Sequence, residues 1–309
     1  VAAACRPPAP RSDPPRPPVA VDAAVAAPPA PPPTLRLPST VAPTGYQLTL
    51  AIDPARASFD GAVVIDLALT EPTAVVWLHA DALTIDRVTV EAPGGPRAVT
   101  LVPDAASQRV GLWVDPPLAA GAARATLAYR GAVVDDEPMG LFAQRDGAHR
   151  YVYSQMEGVF ARRVVPCFDE PQWKVPWQVT VRAPAGFTVL GNMPERARRA
   201  VDADVEIELA PTPPMASYLL AVAVGTFEAV DLGPVGRGAV PARVLTPAGW
   251  SAHAAAAAAV TPVLVDRLEA YFDRPLPLAK LDLLAVPQFF GAMENPGLIT
   301  FATSVLLID

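Results

Sequence analysis

The chain has 309 residues, a formal net charge of −7 and 51% hydrophobic residues, enough for a sizeable core and for two domains. The acidic balance argues against a nucleic-acid partner, which needs a basic surface. No apolar run approaches the roughly 18 residues that carry a helix across a bilayer.

Residues 1–40 are rich in Pro and Ala with scattered Arg and Asp. Such a segment cannot bury enough apolar surface to fold, so a disordered tether is expected. Val1-Ala-Ala-Ala-Cys5 resembles the end of a bacterial lipoprotein signal, with Cys5 as the lipidated residue. That reading implies membrane attachment and a cell-envelope location. The alternative is a low-complexity linker on a cytoplasmic protein.

Residues 41–235 follow a different pattern. Tyr46 to Ile52 alternates polar and apolar, as a half-buried strand does. Ala62 to Leu69, Ala74 to His79, Leu83 to Val90, Arg97 to Val102, Arg109 to Val114 and Ala123 to Tyr129 continue the series. Short strands at regular spacing without helices predict a β domain. Within it, Ser154-Gln-Met-Glu-Gly-Val-Phe-Ala-Arg-Arg163 and Pro166-Cys-Phe-Asp-Glu-Pro171 place many charges in an apolar region. Arg162, Arg163 and Asp169 are expected to pair structurally. Further strands are expected at 175–183, 187–192, 205–209 and 219–224, and the glycine-rich run 233–238 marks a boundary.

Residues 236–309 open with a strand at 242–245 and an alanine-rich helix starting at Ser251 as its cap and reaching about Phe272. Pro262 should kink or split that helix. The chain then enters Lys280-Leu-Asp-Leu-Leu-Ala-Val-Pro287 and Gln288-Phe-Phe-Gly-Ala-Met-Glu-Asn-Pro-Gly-Leu-Ile-Thr-Phe301. Glu294 and Asn295 lie between two apolar runs that read as buried strands. Gly291 and Ala292 lack bulk, so another chain can approach the backbone there. Either this is a peptide-binding edge with a carboxylate for a cation, or a loop whose polar residues face water. The two cysteines, Cys5 and Cys167, make no disulfide framework, and His79, His149 and His253 lack the spacing of a helical zinc site.

The string Gly291-Ala-Met-Glu-Asn295 resembles the exopeptidase signature of the M1 family of zinc aminopeptidases. Gln155-Met-Glu157 before the Arg-rich turn, the 166–171 segment, Gly191-Asn-Met-Pro194, Thr212 to Tyr218 and Gly225 to Glu228 are similar to landmarks of the same family. The resemblance implies a mainly β architecture: an N-terminal saddle-like β-sandwich domain, then the start of a thermolysin-like α+β catalytic domain, incomplete at 236–309. It implies that Glu157 and Glu294 bind the substrate's free α-amino group. Gln155 and Met293 would shape the first side-chain pocket, and the Gly291–Ala292 backbone, with Asn295 in the same motif, would line a peptide substrate. In the family, zinc is held by His-Glu-x-x-His and a later Glu, all beyond this stretch, so no zinc ligand and no catalytic residue is assigned in this chain. The expected function is N-terminus recognition within an aminopeptidase that releases N-terminal residues, with the chain inactive alone. The alternative is a non-catalytic peptide-binding envelope module. Pro296 also matches members related to leukotriene A4 hydrolase, which raises an epoxide hydrolase reading.

Overall fold

A computed structural model describes residues 31–135 and 137–308. Cys5 and most of the expected tether lie outside the described residues.

The strands stack in layers. The first layer is an eight-stranded sheet in the order Glu195–Val201, Asp204–Leu209, Trp177–Pro184, Val41–Ala51, Ser58–Leu69, Gly121–Ala132, Thr84–Ala92, Gly95–Arg97. Its strands bury alternate residues: Trp177, Val179, Val181 and Ala183 point inward along one strand, as the period of two requires. Val41–Ala51 and Trp177–Pro184 run parallel, so they cannot be joined by a hairpin. Tyr46 and Trp177, in register there, stack with ring centroids 3.8 Å apart. A three-stranded sheet, Thr73–His79, Arg109–Leu118 and Val99–Asp104, packs into the same core.

The second layer is a five-stranded sheet in the order Thr188–Gly191, Val222–Gly225, His149–Gln155, Gly140–Asp146, Val134–Asp135. It is buried on both faces, which is why its strands read as continuous apolar runs rather than alternating ones. Leu141, Ala143, Val152 and Val224 face the first layer. Phe142, Tyr151, Tyr153 and Ala223 face the third.

The third layer is another five-stranded sheet: Phe227–Val235, Val240–Pro247, Leu281–Val286, Leu298–Ala302 and, at the edge, Ala292–Met293. The glycine-rich run 233–238 covers the end of the first strand and most of the hairpin turn, 236–239, that joins it to the second; their register ends at Val235 and Val240. Gly236 has φ +65°, and a Cβ there would run into the Glu269 carboxylate. Glu269, buried, accepts the Arg237 N–H at 2.7 Å and the Leu276 N–H at 2.6 Å. Those two backbone bonds hold its pKa below the usual carboxylate range.

The helix Ala255–Phe272 covers the far face of this sheet through Ala257 and Val265. Ser251 does not cap it. A 3-10 turn, Ser251–Ala254, precedes the helix, and Glu228 takes the Gly249 and Ser251 N–H groups instead. Pro262 does not split it either: the helix is continuous. Tertiary packing on Ala257, Thr261, Val265 and Glu269 holds the two halves in line.

Candidate functional site

Leu281–Val286 and Leu298–Ala302 are parallel neighbours, with Leu284 beside Thr300. The chain between them loops out through Phe289 and Phe290 and returns as Ala292–Met293, antiparallel to Leu298–Ala302. Gly291 makes the reversal at φ +61°, and its carbonyl accepts the Ala302 N–H at 2.8 Å. Ala292–Met293 ends the sheet order, so among the described residues no strand covers its outer edge. Gly291 and Ala292 are exposed, and a Cβ on Gly291 would meet nothing within 4 Å. Met293 is buried on the face that carries Leu284. Glu294 is exposed and Asn295 is buried. The Asn295 carbonyl accepts the Leu298 N–H at 3.1 Å, closing a turn over Pro296 and Gly297.

That turn is clamped from two directions. Asn192, buried, donates from Nδ2 to the Pro296 carbonyl at 3.0 Å and to the Leu219 carbonyl at 2.9 Å, and its Oδ1 accepts the Ala221 N–H at 2.8 Å. Gly297 has φ +78°, and a Cβ there would collide with the Asn192 carbonyl oxygen. From the other side, Lys280 Nζ donates to the Gly297 carbonyl at 2.5 Å and to Asp282 Oδ2 at 2.8 Å. Arg243 grips the same buried Asp282 bidentately at 2.9 and 2.7 Å. Burial lowers the Lys280 pKa, against the pull of Asp282. Asn192 and Lys280 were not among the expected site residues. The signals for them were the Gly191-Asn-Met-Pro194 string and two charges, Lys280 and Asp282, flanking a leucine at the start of an apolar strand.

The other expected residues lie on the middle sheet. His149–Gln155 ends at Gln155, opposite Gly140. Gln155 is buried, on the face shared with Tyr151 and Tyr153, and its Oε1 has no partner among the described residues. Glu157 follows two residues later and is exposed. Phe142, in register with Tyr153, stacks on Phe289 at 6.3 Å with planes 6° apart. The seam between the second and third layers therefore joins the strand that leads to Glu157 with the loop that leads to Glu294. Among the described residues neither carboxylate forms an ion pair or a side-chain hydrogen bond.

The charged residues behind Glu157 are structural. Arg162 Nε donates to Asp169 Oδ2 at 2.9 Å, and Ser217 donates to Asp169 Oδ1 at 2.6 Å, all buried. Arg163 pairs with Asp81 at 2.9 Å. His79 belongs to this cluster: its Nδ1 accepts the Asp169 N–H at 3.2 Å. Burial, then the Arg162 and Arg109 charges, push its pKa down to about 3. Cys167 is fully buried, and burial pushes its thiol pKa up, so it packs rather than reacts.

No group of three or more His, Cys, Asp or Glu among the described residues is placed to hold a metal ion. His79 is buried in the charge cluster, His149 is exposed on a strand of the middle sheet, and the His253 ring lies 5.5 Å from that of Trp250, tilted by 50°. Among the described residues these three histidines are not grouped to hold a zinc ion.

Comparison with known proteins matches residues 42–219 to the peptidase M1 N-terminal domain and residues 256–309 to the peptidase family M1 domain. The chain belongs to the peptidase M1 family. It is 32% identical to Aminopeptidase M1-C of Oryza sativa subsp. japonica, over 89% of this chain and 31% of that protein. It is 30% identical to human Endoplasmic reticulum aminopeptidase 1, over 89% of this chain and 30% of that protein. A probable aminopeptidase 1 of Saccharolobus solfataricus is 35% identical over 59% of the chain and 23% of its own length. The chain thus spans about a third of the length of the first two relatives.

Proposed function

We propose that this chain is the part of a zinc aminopeptidase that recognises the free N-terminus of a peptide. One observation carries the reading: an uncovered edge strand, Ala292–Met293, runs straight into an exposed carboxylate, Glu294. A peptide adds to that edge by backbone hydrogen bonds. Its ammonium meets Glu294 and Glu157, whose charges exclude an acetylated or internal nitrogen. Gln155 and Met293 border its first side chain, and Asn295 fixes the turn behind Glu294. Two carboxylates on a fixed backbone set the distance from the N-terminus to the first peptide bond, which is what makes cleavage stepwise. The family is zinc-dependent. When bound, the ion would supply water activation.

Calorimetry with a leucyl tripeptide amide and its N-acetyl form tests the reading. Acetylation should weaken binding by at least about tenfold, the worth of charge-assisted bonds to a carboxylate. Glu294→Gln should erase the difference while shifting stability by less than about 0.5 kcal/mol, since the residue is exposed. Equal binding of both peptides to the wild-type chain removes the amine site.

An envelope location is carried by Cys5 and its Pro-rich surroundings alone. Equal detergent-phase partition of the wild type and Cys5→Ser after expression in a bacterial host removes it.

A further inference from the structure

A cavity lies against the clamped turn. It holds about 460 Å³, within the range of small-molecule sites. Both halves of the chain build it: Met193, Pro214, Met215 and Leu219 on one side, Leu278 and Pro296 on the other.

The walls are fixed rather than loose. Met215 exchanges backbone hydrogen bonds with Val175 at 3.1 and 3.3 Å, and its carbonyl also accepts the Trp177 indole N–H at 3.3 Å. Thr212, another lining residue, accepts the Trp177 N–H at 3.0 Å through Oγ1. Opposite, Asn192 and Lys280 hold Pro296 and Gly297 in place. Side chains of the described residues leave the space open although the Thr212–Met215 wall and the Pro296–Gly297 wall are both tied, so those two walls are preformed. That lowers the cost of filling it.

The lining gives the chemistry of an occupant. It is mostly apolar, with Pro and Met surfaces that suit a flexible or flat hydrocarbon body. Among the described residues Lys174, exposed, is the one charged side chain that lines it, and no carboxylate does. A cation finds no partner there, whereas an anionic head finds one at Lys174.

We infer that this cavity is a binding site for a small amphiphilic carboxylate, its hydrocarbon between the two halves of the chain and its head at Lys174. The site is separate from the edge strand and stands whether or not that strand binds peptides.

Methionine methyl NMR on the full chain tests this, because the five methionines of the chain report different places. Met193 and Met215 line the cavity, Met293 sits at the edge strand, and Met139 and Met156 lie outside both. Titration with decanoate should shift Met193 and Met215 saturably and leave Met139 and Met156 still. Ala279→Trp fills the cavity from an exposed lining position and should abolish the shifts. Lys174→Glu should weaken decanoate by about threefold, as an exposed charge pair does, without changing decanol. Absence of shifts at Met193 and Met215 in the wild type overturns the site, with no variant needed. Shifts that persist in Ala279→Trp place the probe elsewhere, for example on the exposed Leu264 and Leu268 of the helix, and also overturn it. Decylamine binding as well as decanoate overturns the assignment of the head group.

Discussion

Two buried charge clusters stand behind the two proposed recognition carboxylates, and they are built differently. Behind Glu157, Arg162 and Asp169 pair across seven residues of one loop, with His79 and Ser217 completing the set. Behind Glu294, Arg243 and Asp282 pair across adjacent strands, and Lys280, just ahead of the second strand, links Asp282 to the Gly297 carbonyl. The first cluster ties a loop to itself and to the core. The second ties two strands to a turn that also bears on Asn192 of the neighbouring layer. Damage to the first should unfold its surroundings, and damage to the second should misplace Glu294.

The largest expected effect is in the first cluster. Asp169→Leu leaves the Arg162 guanidinium buried without its carboxylate, which should cost about 3–5 kcal/mol. Urea unfolding measures it; a loss below about 1 kcal/mol would make the pair no better than a surface one and collapse the distinction.

Next comes Gly297→Ala. The positive φ alone costs about 1–2 kcal/mol, and the collision with the Asn192 carbonyl adds to it. The same unfolding experiment should show at least that loss, while free-amine peptide affinity falls further than stability predicts. A loss of stability with peptide binding intact would show that the turn does not position Glu294.

A third effect, spread along the pH axis, is a pH dependence in the first cluster. Unfolded His79 has its ordinary pKa near 6.5 and the folded one about 3. Between those values the unfolded chain binds a proton that the folded chain refuses, so stability falls as pH drops through the window. The slope from this group is at most about 1.4 kcal/mol per pH unit. Compared with wild type, His79→Gln should flatten unfolding free energies between pH 6 and 4. Identical slopes would mean that His79 charges in place. Lys280, also depressed by burial, acts in an alkaline window below its ordinary value. The two clusters therefore separate on the pH axis.

Much of this was legible in the residues. Alternation marked the outer strands, because one face of each meets solvent. The Arg162–Asp169 pair was readable because both members lie in one short apolar stretch. Ser251 misled because the chain makes a 3-10 turn, Ser251–Ala254, before the helix begins at Ala255, so Ser251 lies a turn ahead of the cap position. Pro262 misled because the cost of a proline inside a helix is local, whereas the packing that offsets it is not.

The sequence by itself determined the chemistry available: a peptide-like edge at Gly291–Ala292, two candidate carboxylates, and no histidine set for zinc. Only the tertiary structure decided that Asn192 and Lys280 meet at the Pro296–Gly297 turn. It also decided that Phe142 stacks on Phe289 across the seam, and that a cavity lies against the Pro296–Gly297 turn. Those contacts join residues far apart along the chain, and neither periodicity nor spacing records which strands become neighbours.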